Sequence, residues 1–136
     1  MNDIERTLVF VKPDGVRRKL VGEVIGRFEK KGFEIAELKK ITITPELADR
    51  HYAEHIGKPF YPPLKDFICS GPVVIMVLEG RNAVESVRQM IGCTDSAKAA
   101  PGTIRGDLSL LNNQNIVHAS DSLESATREI SNFFGF

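Results

Sequence analysis

Apolar stretches of two different periods alternate along this chain, and that alternation restricts it to folds in which strands and helices share a core. The strand-like stretches are rich in β-branched and aromatic residues: Thr7 to Lys12, Phe33 to Ile43, Pro72 to Glu79 and a brief Ile116-Val117. Pro13 and the Asp14-Gly15 turn signal close the first, which leaves Lys12 where a buried strand opens into a loop. Around Glu37-Leu38 the second loses its alternation, which predicts a bulge. Helical spacing marks Val21, Val24, Ile25 and Phe28, with Gly32 as a stop, and again Val84, Val87 and Ile91, with Arg88 on the border. A last stripe comprises Leu123, Ala126, Ile130, Phe133 and Phe134. Thr44-Pro45 opens a further helix with Tyr52 and His55 toward its far end, and a short helix is predicted from about Pro63 to Cys69, ending at Gly71. Asn82 with Glu85, and Asp121 with Glu124, read as capping boxes.

The resulting order is β-α-β-(α-α)-β-α-β-α. Without the inserted helices it reduces to β-α-β-β-α-β, the order of an α+β ferredoxin-like split sheet: four antiparallel strands covered by helices on one face. The arrangement of these strands in one sheet is implied in part by a family resemblance that the motifs of the chain carry. From Gly92 to Asn115 the chain is dominated by Gly, Pro, Asn, Asp and Ser, and a loop of that length in a compact domain is functional or disordered. No repeat, linker or low-complexity tract divides residues 1–136, which are read as a single domain.

With 136 residues, 42% of them hydrophobic, the chain can bury roughly two thirds of its unfolded surface. Eighteen basic residues balance eighteen acidic ones, so no net field draws it to nucleic acid or to an anionic membrane, and any anion site must be local. No apolar run approaches the roughly 18 residues of a membrane span, and Met1-Asn2-Asp3-Ile4-Glu5 does not read as a leader. The expectation is a cytoplasmic protein with no membrane partner. Cys69 and Cys93 have no metal-ligand spacing and are expected as reduced, partly buried thiols.

The familiar phosphate-binding signatures G-x-x-x-x-G-K-[ST], G-x-G-x-x-G and H-R-D are absent. What the chain has instead is Asn115-Ile116-Val117-His118-Ala119-Ser120-Asp121-Ser122, in which a histidine ends a short strand just before a capped helix. A lone histidine is more often a core or surface residue than a catalyst. Here, however, the N-x-x-H-x-S-D pattern resembles the active-site signature of the nucleoside diphosphate kinases. Three more blocks match that family in order: Lys12-Pro13-Asp14-Gly15-Val16, Ser70-Gly71-Pro72-Val73-Val74, and Pro101-Gly102-Thr103-Ile104-Arg105-Gly106-Asp107. Together they span nearly the whole chain.

The resemblance implies transfer of the γ-phosphate of a nucleoside triphosphate, typically ATP, to a nucleoside diphosphate by a ping-pong route. His118 would attack phosphorus through Nδ1 and hold the group as phosphohistidine; a neutral imidazole carries the required lone pair. Glu129, at the edge of the last helix's apolar stripe, is either an ordinary solvated glutamate or, as the family implies, the group that orients the imidazole, with Ser120 and Tyr52 nearby. Arg88, Arg105 and Thr94 would contact phosphates, Lys12 a phosphate and the ribose hydroxyl, and Asn115 the sugar. Arginines are usually solvated surface charges, a reading that suits Arg88 beside an apolar face and Arg105 inside a Gly-rich loop less well. Phe60 with Leu64 is a core anchor or, by the match of Lys58-Pro59-Phe60, the clip that holds the base. His55 would add a phosphate contact, whereas His51 receives no role. Mg²⁺ would arrive with the nucleotide, held by phosphates and water rather than by a protein cage. A homo-oligomer is implied, a hexamer before a tetramer.

Three positions depart from the usual family pattern. Ala119 follows the histidine where most relatives have glycine, Asp95-Ser96 replaces Asn-Pro in the long loop, and Asn112 stands near the base where many have an apolar residue. Ser96 for proline, and a chain that stops at Phe136 soon after its last helix, are expected to make assembly beyond a dimer easier to perturb. Two other readings of such a fold fit less well. RNA binding on the sheet needs exposed aromatics on central strands, and a small-ligand regulatory domain leaves His118, Arg88, Arg105 and Lys12 without purpose.

Overall fold

The computed structural model describes residues 3–135; the expectations resting on Met1, Asn2 and Phe136 lie outside them. The chain runs β1 (Ile4–Val11), α1 (Pro13–Arg17), α2 (Val21–Lys31), β2 (Glu34–Thr42), α3 (Pro45–His51), α4 (Tyr61–Ile68), β3 (Pro72–Arg81), α5 (Ala83–Ile91), α6 (Ile104–Leu108), β4 (Val117–Ala119) and α7 (Leu123–Phe134). The strands form one antiparallel sheet in the order β2-β3-β1-β4, the order of a ferredoxin-like α+β fold.

The two central strands carry unbroken apolar runs, Leu8 to Val11 and Val73 to Leu78, because both of their faces are covered. Successive side chains point to opposite sides of a sheet. Val9, Val11, Val74, Met76 and Leu78 therefore enter one core with Val24 and Phe28 of α2 and Val87 and Ile91 of α5. Leu8, Phe10, Val73, Ile75 and Val77 enter the other with Ala48 of α3, Ile68 of α4, and Ile130 and Phe133 of α7. The expectation of helices on one face is thus corrected: the helices set aside as insertions, together with the last one, cover the second face. β2, at an edge, is only partly buried, and its register slips between Ile35 and Glu37, just ahead of the predicted Glu37-Leu38 bulge.

Several local expectations also change. Pro13 opens a short helix rather than a loop, as a proline can in a first turn. The second proline-rich helix starts at Tyr61, not Pro63, for the same reason. α3 ends at His51, so Tyr52 caps it and His55 belongs to a 3-10 turn at Ala53–His55. Asn82 makes no capping bond; it adopts a left-handed φ of 48°, and the Val84 amide instead donates to Glu5 Oε1 at 3.2 Å. Ser122, not Asp121, caps α7, accepting from the Ser125 amide at 3.0 Å. Leu123 is exposed, and Glu129 joins Ala126, Ile130 and Phe133 on the buried stripe. Cys69 is half-buried but Cys93 is exposed, and both are free thiols. No helix among the described residues is long and apolar enough to cross a membrane.

The segment from Gly92 to Asn115 is structured. It contains a 3-10 turn at Ser96–Lys98 and the helix α6, whose cap Thr103 accepts from the Gly106 amide at 3.0 Å. Asp107 accepts from the Gly102 amide at 2.9 Å and pairs with Arg27 at 2.9 Å, which ties the segment to α2. Gly106 cannot carry a side chain here, since a Cβ would lie 2.0 Å from the Ala100 carbonyl oxygen.

Candidate active site

His118 stands on β4 opposite Phe10 of β1, and its ring stacks on that phenylalanine with centroids 4.8 Å apart and planes at 22°. Its Nε2 lies 2.9 Å from Oε1 of Glu129, which α7 brings in from the buried stripe. The Ser120 hydroxyl donates to the same oxygen at 2.7 Å. With Glu129 ionised, Nε2 carries the hydrogen and the Nδ1 lone pair is left for chemistry.

The turn before β4 shapes the rest of the site. Ile116 has a φ of 76°, a conformation that a β-branched residue adopts only when its surroundings impose it. Here the buried Asp14 carboxylate accepts from the Ile116 amide at 3.1 Å, and the Ile116 carbonyl accepts from the Lys12 amide at 2.7 Å. This reversal explains why β4 begins at Val117 rather than at Ile116. It also turns Asn115 inward, where its Oδ1 accepts from Lys12 Nζ at 2.7 Å and its Nδ2 donates to the Thr94 and Asn112 carbonyls at 2.9 and 3.2 Å. The Arg105 guanidinium donates to the carbonyls of Asn115, Gly92 and Val117, so it locks the long segment to β4. Arg88 reaches the Ala119 carbonyl from α5 at 3.4 Å.

These side chains line one cleft of about 400 Å³. Every residue singled out from the sequence borders it except Ser120, which is fully buried behind Glu129. Phe60 is half-exposed at the rim, with Leu64 one turn along α4 and the His55 ring 5.1 Å away. The cleft thus brings together an oriented imidazole, the cationic side chains of Lys12, Arg88, Arg105 and Arg128, and an exposed aromatic ring at its mouth.

The family model described as nucleoside diphosphate kinase matches residues 5–136. The chain belongs to the nucleoside diphosphate kinase family. Nucleoside diphosphate kinases of Archaeoglobus fulgidus and Pyrococcus furiosus are 60% and 59% identical to it, over 96% and 98% of this chain and 87% and 85% of theirs. Among solved structures, a halophilic nucleoside diphosphate kinase from Halobacterium salinarum in complex with CDP superimposes with a TM-score of 0.94 at 49% identity, covering 97% of this chain and 88% of that one. The Aquifex aeolicus nucleoside diphosphate kinase gives 0.92 at 45%, covering 96% and 95%. The protein is accordingly an enzyme, a nucleoside-diphosphate kinase.

The kinase cleft has marked electrostatics. Burial, then the charge of Arg105, push the Lys12 ammonium down to about 8, against a smaller opposing pull from Asp14. Burial and the neighbouring Arg88 lower Arg105 to about 10, which leaves it charged near neutrality. Burial works to raise the Glu129 carboxyl, but the His118 hydrogen bond and charge, with His51 and Ser120, outweigh it and hold the group below its ordinary value. Tyr52 is raised, chiefly by burial and then by Glu129, so its hydroxyl keeps its proton.

Glu54, Asn113, Asp121, Ser125 and Arg128 also line the cleft without a site role having been read from the sequence, and two further residues, Asp14 and His51, shape its interior. Asp14 looked like a turn signal, and nothing local marks it as the partner of Ile116. His51 read as a helix residue, yet it is 6% exposed, lines the cleft and sets its ring 4.9 Å from that of His118 at 81°. Their significance lies in contacts that no spacing encodes.

The departures from the family pattern are accommodated. Ala119 sits in β4 and is not among the residues with positive φ, so its methyl group is packed in the core without backbone strain. Ser96 is buried, with its hydroxyl unpartnered. Asn112 borders the cleft and offers its carbonyl to Asn115.

Proposed function

We propose that His118 is the phosphoryl carrier: its Nδ1 attacks the terminal phosphorus of a nucleoside triphosphate, typically ATP, releases the diphosphate, and passes the group to a second nucleoside diphosphate in a ping-pong cycle. The observation that carries this reading is the 2.9 Å contact of Nε2 with a buried carboxylate, which orients the ring and stabilises the positive charge that develops on it during attack. Lys12, Arg88 and Arg105 supply the positive field that phosphoryl transfer needs, with Thr94 and His55 beside them on the cleft wall. In this reading Arg105 acts on the phosphates through its charge while its N–H groups fix the loop. Lys12 and Asn115, bonded to each other at 2.7 Å, hold the sugar, and Phe60 with Leu64 holds the base. Tyr52 and Ser120 keep His118 and Glu129 in place.

The carboxylates that line the cleft are Glu54, Asp121 and Glu129, and Glu129 is already engaged by His118 and Ser120. That donor set suits Mg²⁺ carried in by the nucleotide, with Glu54 or Asp121 acting through its waters. When bound, the ion neutralises charge on the phosphate oxygens. Assembly into a homo-hexamer, with a tetramer second, rests on the family likeness, and sedimentation velocity measures it.

The experiment for the cycle is incubation with γ-labelled ATP and magnesium. An acid-labile, alkali-stable protein phosphate that chases to GDP is the expected result. His118→Gln should form none and transfer nothing, while still binding nucleotide. Transfer by that variant, or initial-rate plots of the intersecting ternary-complex type, would remove the phosphohistidine.

A further inference from the structure

We propose that His51, His118 and Glu129 form a binding site for a nitrogen-seeking divalent transition metal such as Zn²⁺, and that metal bound there silences His118. One nitrogen of each imidazole and one Glu129 oxygen lie within 4.8 Å of one another. They come from three separate elements, the end of α3, the middle of β4 and the buried face of α7, so the cluster is a product of the tertiary fold. His51 and Glu129 are 6% and 5% exposed, and Nδ1 of His51 is buried with no hydrogen-bond partner. Nothing in the phosphoryl-transfer reading uses that imidazole.

Two imidazoles and a carboxylate are a ligand set that zinc takes in open sites, with the fourth position left to water or a substrate oxygen. Tetrahedral ligands about 2.0–2.2 Å from the metal stand roughly 3.3 Å apart, so the most distant pair must close by about 1.5 Å at most. His51 can move without breaking a hydrogen bond of its free Nδ1. Mg²⁺, which demands oxygen ligands, does not compete for such a site.

The consequence for chemistry follows from the ring proton. Glu129 lies against Nε2 of His118, so a metal bridging those two atoms takes the place of the Nε2 hydrogen. That proton moves to Nδ1, the ring stays neutral, and the lone pair that would attack phosphorus is gone. This inhibitory half rests on the phosphohistidine reading; the binding half does not.

The test uses full-length protein with Cys69→Ser and Cys93→Ser, free of nucleotide, titrated calorimetrically with Zn²⁺ alone and spectroscopically with Co²⁺ alone. One Zn²⁺ per chain, visible cobalt bands of a four-coordinate centre, and at least tenfold weaker binding in both His51→Gln and Glu129→Gln are expected. The zinc-loaded protein should bind ADP yet form no phosphoenzyme from ATP. Absence of stoichiometric binding, undiminished affinity in either variant, or normal phosphoenzyme formation with zinc bound overturns the proposal. Should His51→Gln lose its native circular dichroism, Glu129→Gln and His118→Gln decide the matter by the same criteria. Transfer by metal-free His118→Gln would instead strike at the phosphohistidine reading and leave the binding result standing.

Discussion

Glu129 reaches from the last helix to within 2.9 Å of His118, and its Oε1 takes a second hydrogen bond, from Ser120, at 2.7 Å. The carboxylate is 5% exposed, so its orientation is set by packing rather than by solvent. Glu129→Gln keeps the shape but removes the charge and allows the amide to present a hydrogen to Nε2. Transfer should fall by about ten- to a hundredfold, the scale for partners that orient histidines elsewhere. Steady-state kinetics with circular dichroism checks this, and an unchanged rate would return Glu129 to a purely packing role.

Lys12 gives the cleft a pH dependence. Its ammonium is lowered from 10.5 to about 8 by burial and Arg105, so between those values the unfolded chain binds the proton that the folded chain has lost. This group therefore adds stability as pH rises from 8 toward 10.5, and burying it charged is unfavourable below. A bound phosphate reverses the preference. Affinity for ADP should fall by up to about tenfold per pH unit above pH 8, with proton uptake on binding. Titration calorimetry in buffers of different ionisation enthalpy measures it, and Lys12→Met should abolish the slope.

Asp14 holds Ile116 in its left-handed conformation through one buried hydrogen bond of 3.1 Å. Asp14→Ala leaves that amide unsatisfied and should cost about 1–3 kcal/mol. Because Ile116 also aims Asn115, transfer should drop with stability. Urea unfolding at fixed protein concentration and a kinetic assay report the two effects, and Asp14→Asn, which restores an acceptor, should recover most of both.

Phe60 stands half-exposed at the rim, where it can stack on any base without reading base edges. Purine and pyrimidine diphosphates should therefore serve at rates within roughly tenfold of one another, since stacking is sequence-tolerant. Loss of the 3′-hydroxyl should hurt more, because the Lys12–Asn115 pair is built of directional hydrogen bonds. Equal use of 3′-deoxy acceptors in a kcat/KM series would contradict the assignment of that pair to the sugar.

The sequence by itself determined the central strands, because six successive apolar residues from Val73 to Leu78 leave no face that tolerates water. It determined the apolar stripes of α2, α5 and α7, the Thr44 cap, and the neighbourhood of His118, since period, caps and motif blocks all act between residues close in the chain. Only the tertiary structure decided that helices cover both faces, that Asp14 locks Ile116 from 102 residues away, that Arg105 bonds backbone carbonyls, and that His51 stands beside His118. Those relationships are contacts between elements brought together by burial of the two cores, and a hydrogen bond across such a distance leaves no periodic trace in either partner's local sequence.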